Sequence, residues 1–522
     1  MDTLIIFAAV VATMLTYSVM AGNPAGHDRA FRVRRFMNWL PLGLVYSFLY
    51  MGRYNLTVSK NALGSMMSKE QFGIIFAAGT ITYAFSFLIN GPITDRIGGK
   101  KAILIGAFGS MFMNGVLGLV TYFILTRPDL ELNLTLLFSI VYSMNMYFQS
   151  YGAVSIVKVN SNWFHVRERG SFGGLFGVLI SLGIYFAFDW GQAVVEATSV
   201  NVPDQLGIMT TALGNLMGGE HTNLLAASYG QLVAESTLIQ PVAELGPFQA
   251  ILHSLIIGDG VKMSQTWWVF FIPSIILCTF ATIAAILVKD KPSQAGLKDF
   301  DTGDASSGEE DEKFNVFKLL KKILTNPIII TIAFIEFCSG VLRNGIMHWY
   351  PIYAKEIGLA RDFFFRQHWG LVLCVAGISG GMIAGFLSDK VFGSRRGPVA
   401  ALLYATMLTV AVSMIFLLTN SWGLGIAVAL GSLAIIGVHG MLSGTATMDF
   451  GGRKAAGTAV GIIDGFVYLG TGIQSLSLGF ITSRDWQYWP VFLVPFAVIG
   501  LVLAIRIWAA FPGAAKKGGG GH

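Results

Sequence analysis

The chain has 522 residues, of which 54% are hydrophobic and 12% charged, and its mean hydropathy is +0.64. Soluble domains carry roughly 25% charged residues, so this composition excludes a soluble globular protein and predicts an all-α polytopic membrane protein. The net charge of +6 belongs to loops facing lipid headgroups and implies no nucleic acid, and the three cysteines, Cys278, Cys338 and Cys374, each sit in an apolar run, which supports neither a disulfide framework nor a thiolate metal site.

Runs of about 20 apolar residues are the spanning unit. Thirteen occur, near 3–22, 37–58, 72–93, 102–126, 134–158, 171–190, 267–288, 327–349, 370–392, 398–418, 423–446, 457–481 and 487–509. The first, within residues 1–22, lacks the basic start of a cleaved signal peptide and is read as an extra N-terminal transmembrane helix ahead of a twelve-helix core. A basic cytoplasmic linker, 23–36, follows with Arg29, Arg32, Arg34 and Arg35. Placing it inside also places Arg96, Lys100, Lys101, Arg167, Arg169, Lys390, Arg395, Arg396, Arg453 and Lys454 inside. That asymmetry orients the chain with its N-terminus outside and its C-terminus cytoplasmic.

The core divides into two six-helix bundles, 37–288 and 327–510, joined by a polar cytoplasmic loop at 289–326. The first bundle carries an external, Gly-rich insertion at 190–266, read as a small folded cap, and residues 511–522 read as a disordered tail. An internal repeat crosses the boundary. Gly91-Pro-Ile-Thr-Asp95-Arg96-Ile-Gly98 returns as Gly385-Phe-Leu-Ser-Asp389-Lys390-Val-Phe, each copy after the second helix of its half. The motif resembles the loop signature of the major facilitator superfamily, in which a helix-end glycine lets helices approach and an acid–base pair locks the cytoplasmic side.

Two arginines obey the same repeat. Arg53 precedes Asp95 by 42 residues and Arg343 precedes Asp389 by 46, each inside an apolar run. A guanidinium cannot discharge itself, so each must face a cavity, and the pseudo-symmetry sets them on opposite walls of one midplane site. Two fixed cations converging there suit an anion with several oxygens. Tyr46, Tyr50 and Arg53 share a helix face, and Glu336 lies two turns below Arg343 on its own face. His439 and Asp464 also stand in apolar helices.

Leu342-Arg343-Asn-Gly345-Ile346-Met-His348-Trp349-Tyr-Pro351 resembles the seventh-helix signature of the organophosphate:phosphate antiporters, the family of the bacterial glycerol-3-phosphate and hexose-phosphate carriers. Tyr46, Tyr50, Arg53, Tyr83, Trp163, Glu168-Arg169-Gly170 and Lys454-Ala-Ala-Gly457 match as well. The resemblance implies a major facilitator fold, a phosphoryl group held by Arg53 and Arg343, and exchange of a small organophosphate for inorganic phosphate in a bacterial inner membrane, by a monomer without metal or cofactor. The chain departs where the family has a helix-two lysine (here Phe87), a helix-five histidine (here the Phe176–Ile180 stretch) and an aspartate before the helix-seven tryptophan (here His348).

The candidate substrate ligands are therefore Arg53, Arg343, Tyr46, Tyr50, Tyr83, His348, Trp349 and His439, with Glu336 and Asp464 assigned to coupling or charge balance. Gly91, Asp95, Arg96, Gly385, Asp389 and Lys390 form the gating motif. The chain lacks a G-x-x-x-x-G-K-[ST] phosphate loop and a zincin-type histidine pair, so no enzyme is expected. Two alternatives stand beside exchange: proton-coupled symport of organic anions, argued by Glu336 and Asp464, and a membrane sensor of a sugar phosphate.

Overall fold

The computed structural model describes residues 11, 26–126, 130–165, 169–200, 263–302, 325, 327–392, 395–442 and 447–509. The first predicted run apart from Val11, the insertion's interior, most of the central loop and the tail lie outside them, as do the side chains of Asp389 and Lys390.

The first half opens with α1 (Arg29–Leu63), whose first turn is capped by Asp28, Oδ1 accepting from Phe31 N at 2.7 Å. Next comes α2 (Lys69–Ile97), started by a reciprocal cap in which Ser68 Oγ accepts from Gln71 N and Gln71 Oε1 from Ser68 N. After α3 (Gly99–Thr126), α4 (Leu134–Gln149) and α5 (Tyr151–Asn160) meet at Ser150. Then α6 (Arg169–Tyr185) passes through a π-helical turn, Phe186–Trp190, into α7 (Gly191–Ala197). Strands β1 (Ser199–Val200) and β2 (Met263–Ser264) pair antiparallel and close the neck of the insertion, and α8 (Trp268–Leu287) completes this half.

In the second half, α9 (Pro327–Met347) breaks at His348 and continues as α10 (Trp349–Glu356). The short α11 (Phe364–Gln367) leads into α12 (Trp369–Phe386), which ends in a second π turn, Leu387–Val391. The last four helices are α13 (Arg396–Leu417), α14 (Ser421–His439), α15 (Thr447–Arg484) and α16 (Tyr488–Arg506).

Among the described residues, nine helices are long and apolar enough to cross a bilayer. Burial supports the same environment, because large apolar side chains face outward while charges face inward. Ile286 is 68% exposed and Phe416 78%, whereas Arg53 and Glu336 are completely buried. Water would penalise that distribution and lipid favours it. This is an integral, all-α membrane protein.

Small residues bring the helices of the second half together. A Cβ on Gly340 of α9 would overlap the Val467 carbonyl of α15, and one on Gly470 of α15 would overlap the Phe337 carbonyl of α9. The reciprocal contact presses α9 against α15 and carries Tyr468 to Arg343. Gly385 is exposed, and among the described residues a side chain added there would meet nothing within 4 Å.

Candidate anion-binding site

Arg53 is the hub of the first half's wall. Its guanidinium donates from Nε to Gln149 Oε1 at 3.0 Å, from Nη2 to the Tyr83 hydroxyl at 2.7 Å and from Nη1 to the Tyr468 hydroxyl at 2.5 Å. The rings of Tyr50 and Tyr83 lie 4.6 and 4.5 Å from its central carbon. A buried polar web fixes the backbone behind it: Tyr142 donates to the Arg53 carbonyl, Asn145 to the Gly52 carbonyl, and Gln149 and Asn145 share Ser110. Arg53 is thus rigidly oriented by α3 and α4.

Arg343 is held differently. It is 5% exposed, its central carbon lies 5.7 Å from the centre of the Tyr468 ring, and its Nε and Nη2 are buried with no hydrogen-bond partner among the described residues. Orphaned donors on a permanent cation are costly in an apolar interior, and an anion offering oxygens would remove the cost. Tyr468 touches both arginines and so joins the two halves at the site.

The other candidates fall into distinct surroundings. Tyr46 packs edge-on against Tyr50, ring centres 5.2 Å apart. His348 is fully engaged, Nδ1 at 2.7 Å from Thr57 Oγ1 and Nε2 at 3.1 Å from Asn344 Oδ1, in an aromatic nest of Tyr54 and Phe76. Trp349 is buried between Phe72 and Trp486. His439 Nδ1 lies 2.9 Å from Glu336 Oε2, so the hydrogen-bond partner of Glu336 is this histidine and not Arg343. Asp464 is buried on α15, one turn before Tyr468.

Contacts between the two halves lie at both ends of the molecule. At the end that the loop charges predict to be cytoplasmic, Asp95 pairs with Lys158 at 2.9 Å and accepts from Thr458 of the second half, through N at 3.2 Å and Oγ1 at 3.0 Å. The base that meets Asp95 is therefore Lys158 from α5. The adjacent Arg96 is exposed, because successive helical residues point in different directions. At the opposite end, Asp189 in the first π turn accepts from the backbone N–H of Gly370 (2.6 Å) and Leu371 (3.0 Å) at the start of α12. Lys69 meets Glu356 at 2.7 Å and the Thr482 carbonyl at 2.8 Å, and Lys355 donates to the Asn61 carbonyl.

Gln149, Tyr468, Lys158, Thr458 and Asp189 were not singled out from the sequence. Tyr468 had a signal, its spacing of four from Asp464 on one helix face.

A family model described as Major Facilitator Superfamily matches residues 42–199 and 246–475. The chain belongs to the major facilitator superfamily. Within this superfamily of transporters it is 24% identical to the glycerol-3-phosphate transporter of Bacillus subtilis strain 168, over 92% of this chain and 94% of that protein. It is 23% identical to a probable hexose phosphate transport protein of Chlamydia trachomatis, over 95% of each chain. With the membrane sensor protein UhpC of Escherichia coli strain K12 it shares 21% identity, over 92% and 93% of the two chains. Among solved structures, a bacterial homologue of the human lysosomal transporter Spinster, inward-facing and unoccupied, superimposes with a TM-score of 0.62 at 14% identity, covering 92% of this chain and 98% of that one. The proton:xylose symporter XylE gives 0.56 at 13% identity, covering 92% and 96%. These likenesses establish the major facilitator fold.

Proposed function

We propose that the protein is a secondary carrier that exchanges a small organophosphate for inorganic phosphate by alternating access, its two six-helix bundles rocking about the site between Arg53 and Arg343. The observation that carries this reading is the pair of buried, unpartnered N–H groups on Arg343 opposite the braced guanidinium of Arg53. A phosphoryl group supplies the oxygens that this arrangement lacks, and the names of the glycerol-3-phosphate and hexose phosphate relatives point to the same chemistry. The reading has the C-terminus in the cytoplasm, which the charge asymmetry of the loops supports, and the carrier acting as a monomer in a bacterial inner membrane.

The departures narrow the cargo. Phe87 is fully buried, its ring 4.5 Å from Tyr83 and 6.1 Å from Tyr468, so an apolar wall stands where the family's lysine would add a third cation. An organic group that is small and carries no second anion fits that wall.

The test is counterflow in proteoliposomes preloaded with labelled phosphate. External phosphate at millimolar concentration, arsenate or a small monophosphate ester should each accelerate efflux. Efflux driven by carboxylates and not by phosphate would overturn the reading, and phosphate binding without any flux would favour a sensor.

A further inference from the structure

Glu336 is completely buried on α9, and the exchange reading leaves it without a task. Its Oε2 lies 2.9 Å from Nδ1 of His439 on α14, and its Oε1 is buried with no hydrogen-bond partner among the described residues. A carboxylate and an imidazole sharing one proton are neutral as a unit, whichever atom carries it. With one carboxylate oxygen unpartnered, the unit has a place for a second proton.

The neighbours are few. On α9 itself stand Cys338 and Arg343; the helical rise puts Arg343, seven residues on, about 10 Å along the axis. From α15, Asp464 acts on His439 together with Arg343. From α13, Tyr404 approaches, but its hydroxyl donates to the Ile335 carbonyl at 2.5 Å. Within their apolar spans α12 offers Cys374 alone, and α16 has no ionisable side chain between Tyr488 and Arg506.

We propose that Glu336 and His439 form a proton-binding site linked to the anion site at Arg343, so that the anion crosses together with a proton. While the cavity is empty, the uncompensated guanidinium of Arg343 opposes a second proton on the pair. An anion bound to Arg343 cancels that charge, and at about 10 Å in an effective dielectric of ~20 the change alters proton affinity by about tenfold. Linkage is reciprocal, so the added proton tightens anion binding by the same factor. The proton balance follows: near the midpoint of the pair's titration about half a proton on average enters when the anion binds, and it leaves when the anion is released. The inference rests on the cavity being an anion site.

Calorimetric titration of the purified full-length protein with inorganic phosphate tests it, in buffers of different ionisation enthalpy from pH 5 to 9. The comparison is with Glu336→Gln, in which phosphate's own titration cancels. With a coupling of about tenfold, the wild type should take up as much as about half a proton more per phosphate than the variant, and its affinity relative to the variant should fall by about tenfold in all as the pH rises through the pair's titration. Should Glu336→Gln not fold, His439→Gln serves in the same comparison. Equal proton counts and parallel affinity profiles would overturn the proposal, as would loss of the extra proton in Asp464→Asn while Glu336→Gln retains it. A wild type that binds no phosphate at any pH would overturn the anion-site reading as well, whereas binding with equal counts would leave that reading standing.

Discussion

Arg53 and Tyr468 are 415 residues apart in sequence and 2.5 Å apart in space, the Nη1 of a first-half arginine donating to a second-half hydroxyl. Under the proposed exchange mechanism, an oxygen of the bridging anion takes the place of this hydroxyl on Arg53, and the hydroxyl holds the two bundles together when no anion is carried.

Replacing Tyr468 by Phe should therefore penalise the unloaded closed state and leave the ring in place. A hydrogen bond to a charged group contributes about 1.5–3 kcal/mol. Efflux of preloaded phosphate into phosphate-free buffer should drop about tenfold or more, while exchange against external phosphate drops less. An equal loss in both would make the hydroxyl a substrate ligand instead.

Arg53→Lys and Arg343→Lys should each reduce exchange tenfold to a hundredfold with membrane insertion intact. Arg53 uses three nitrogens on three partners, and a lysine has one nitrogen for all of them. Initial rates in proteoliposomes at matched protein content check this, and near-normal rates in both variants would contradict it.

At the end that the loop charges predict to be external, Asp189→Asn should shift the protein toward opening at that end. Each carboxylate oxygen accepts one N–H of the first turn of α12, and an amide can replace only one of them. With spin labels at the exposed Ser65 and Ile357, the long-distance population should rise about tenfold. An unchanged distance distribution would show that the contact does not hold the gate.

At the opposite end, Lys158→Gln should leave the Asp95 carboxylate, 2% exposed, without its cation. Removing one partner of a buried pair costs roughly 3–5 kcal/mol. The apparent melting temperature should fall, and adding Asp95→Asn should recover more than half of the loss. A double variant no more stable than Lys158→Gln alone would contradict the pairing.

The two arginines were legible in the sequence because a lone permanent cation in an apolar run has few explanations, and because both fall at equivalent points of the repeat. Their settings were not. Ser110, Asn145 and Gln149 are scattered over α3 and α4 and become a brace for Arg53 only when those helices pack. Tyr468 reads as ordinary aromatic packing until the Gly340–Val467 and Gly470–Phe337 contacts press α15 onto α9. His348, taken from the sequence as a ligand candidate, is occupied by Thr57 and Asn344 and ties the halves together externally. The pairing of Asp95 with Lys158 spans 63 residues, and no local spacing predicts it.

The central claim is that one anion bridges Arg53 and Arg343. Determining the structure of the protein with phosphate bound, by electron cryomicroscopy in lipid nanodiscs, tests it most directly. The account predicts phosphate density within hydrogen-bond distance of Arg343 Nε and Nη2 and of the Arg53 guanidinium, with the Tyr468 hydroxyl displaced from Arg53. Phosphate bound elsewhere, with the Arg343 nitrogens still unpartnered and Tyr468 still on Arg53, would contradict it.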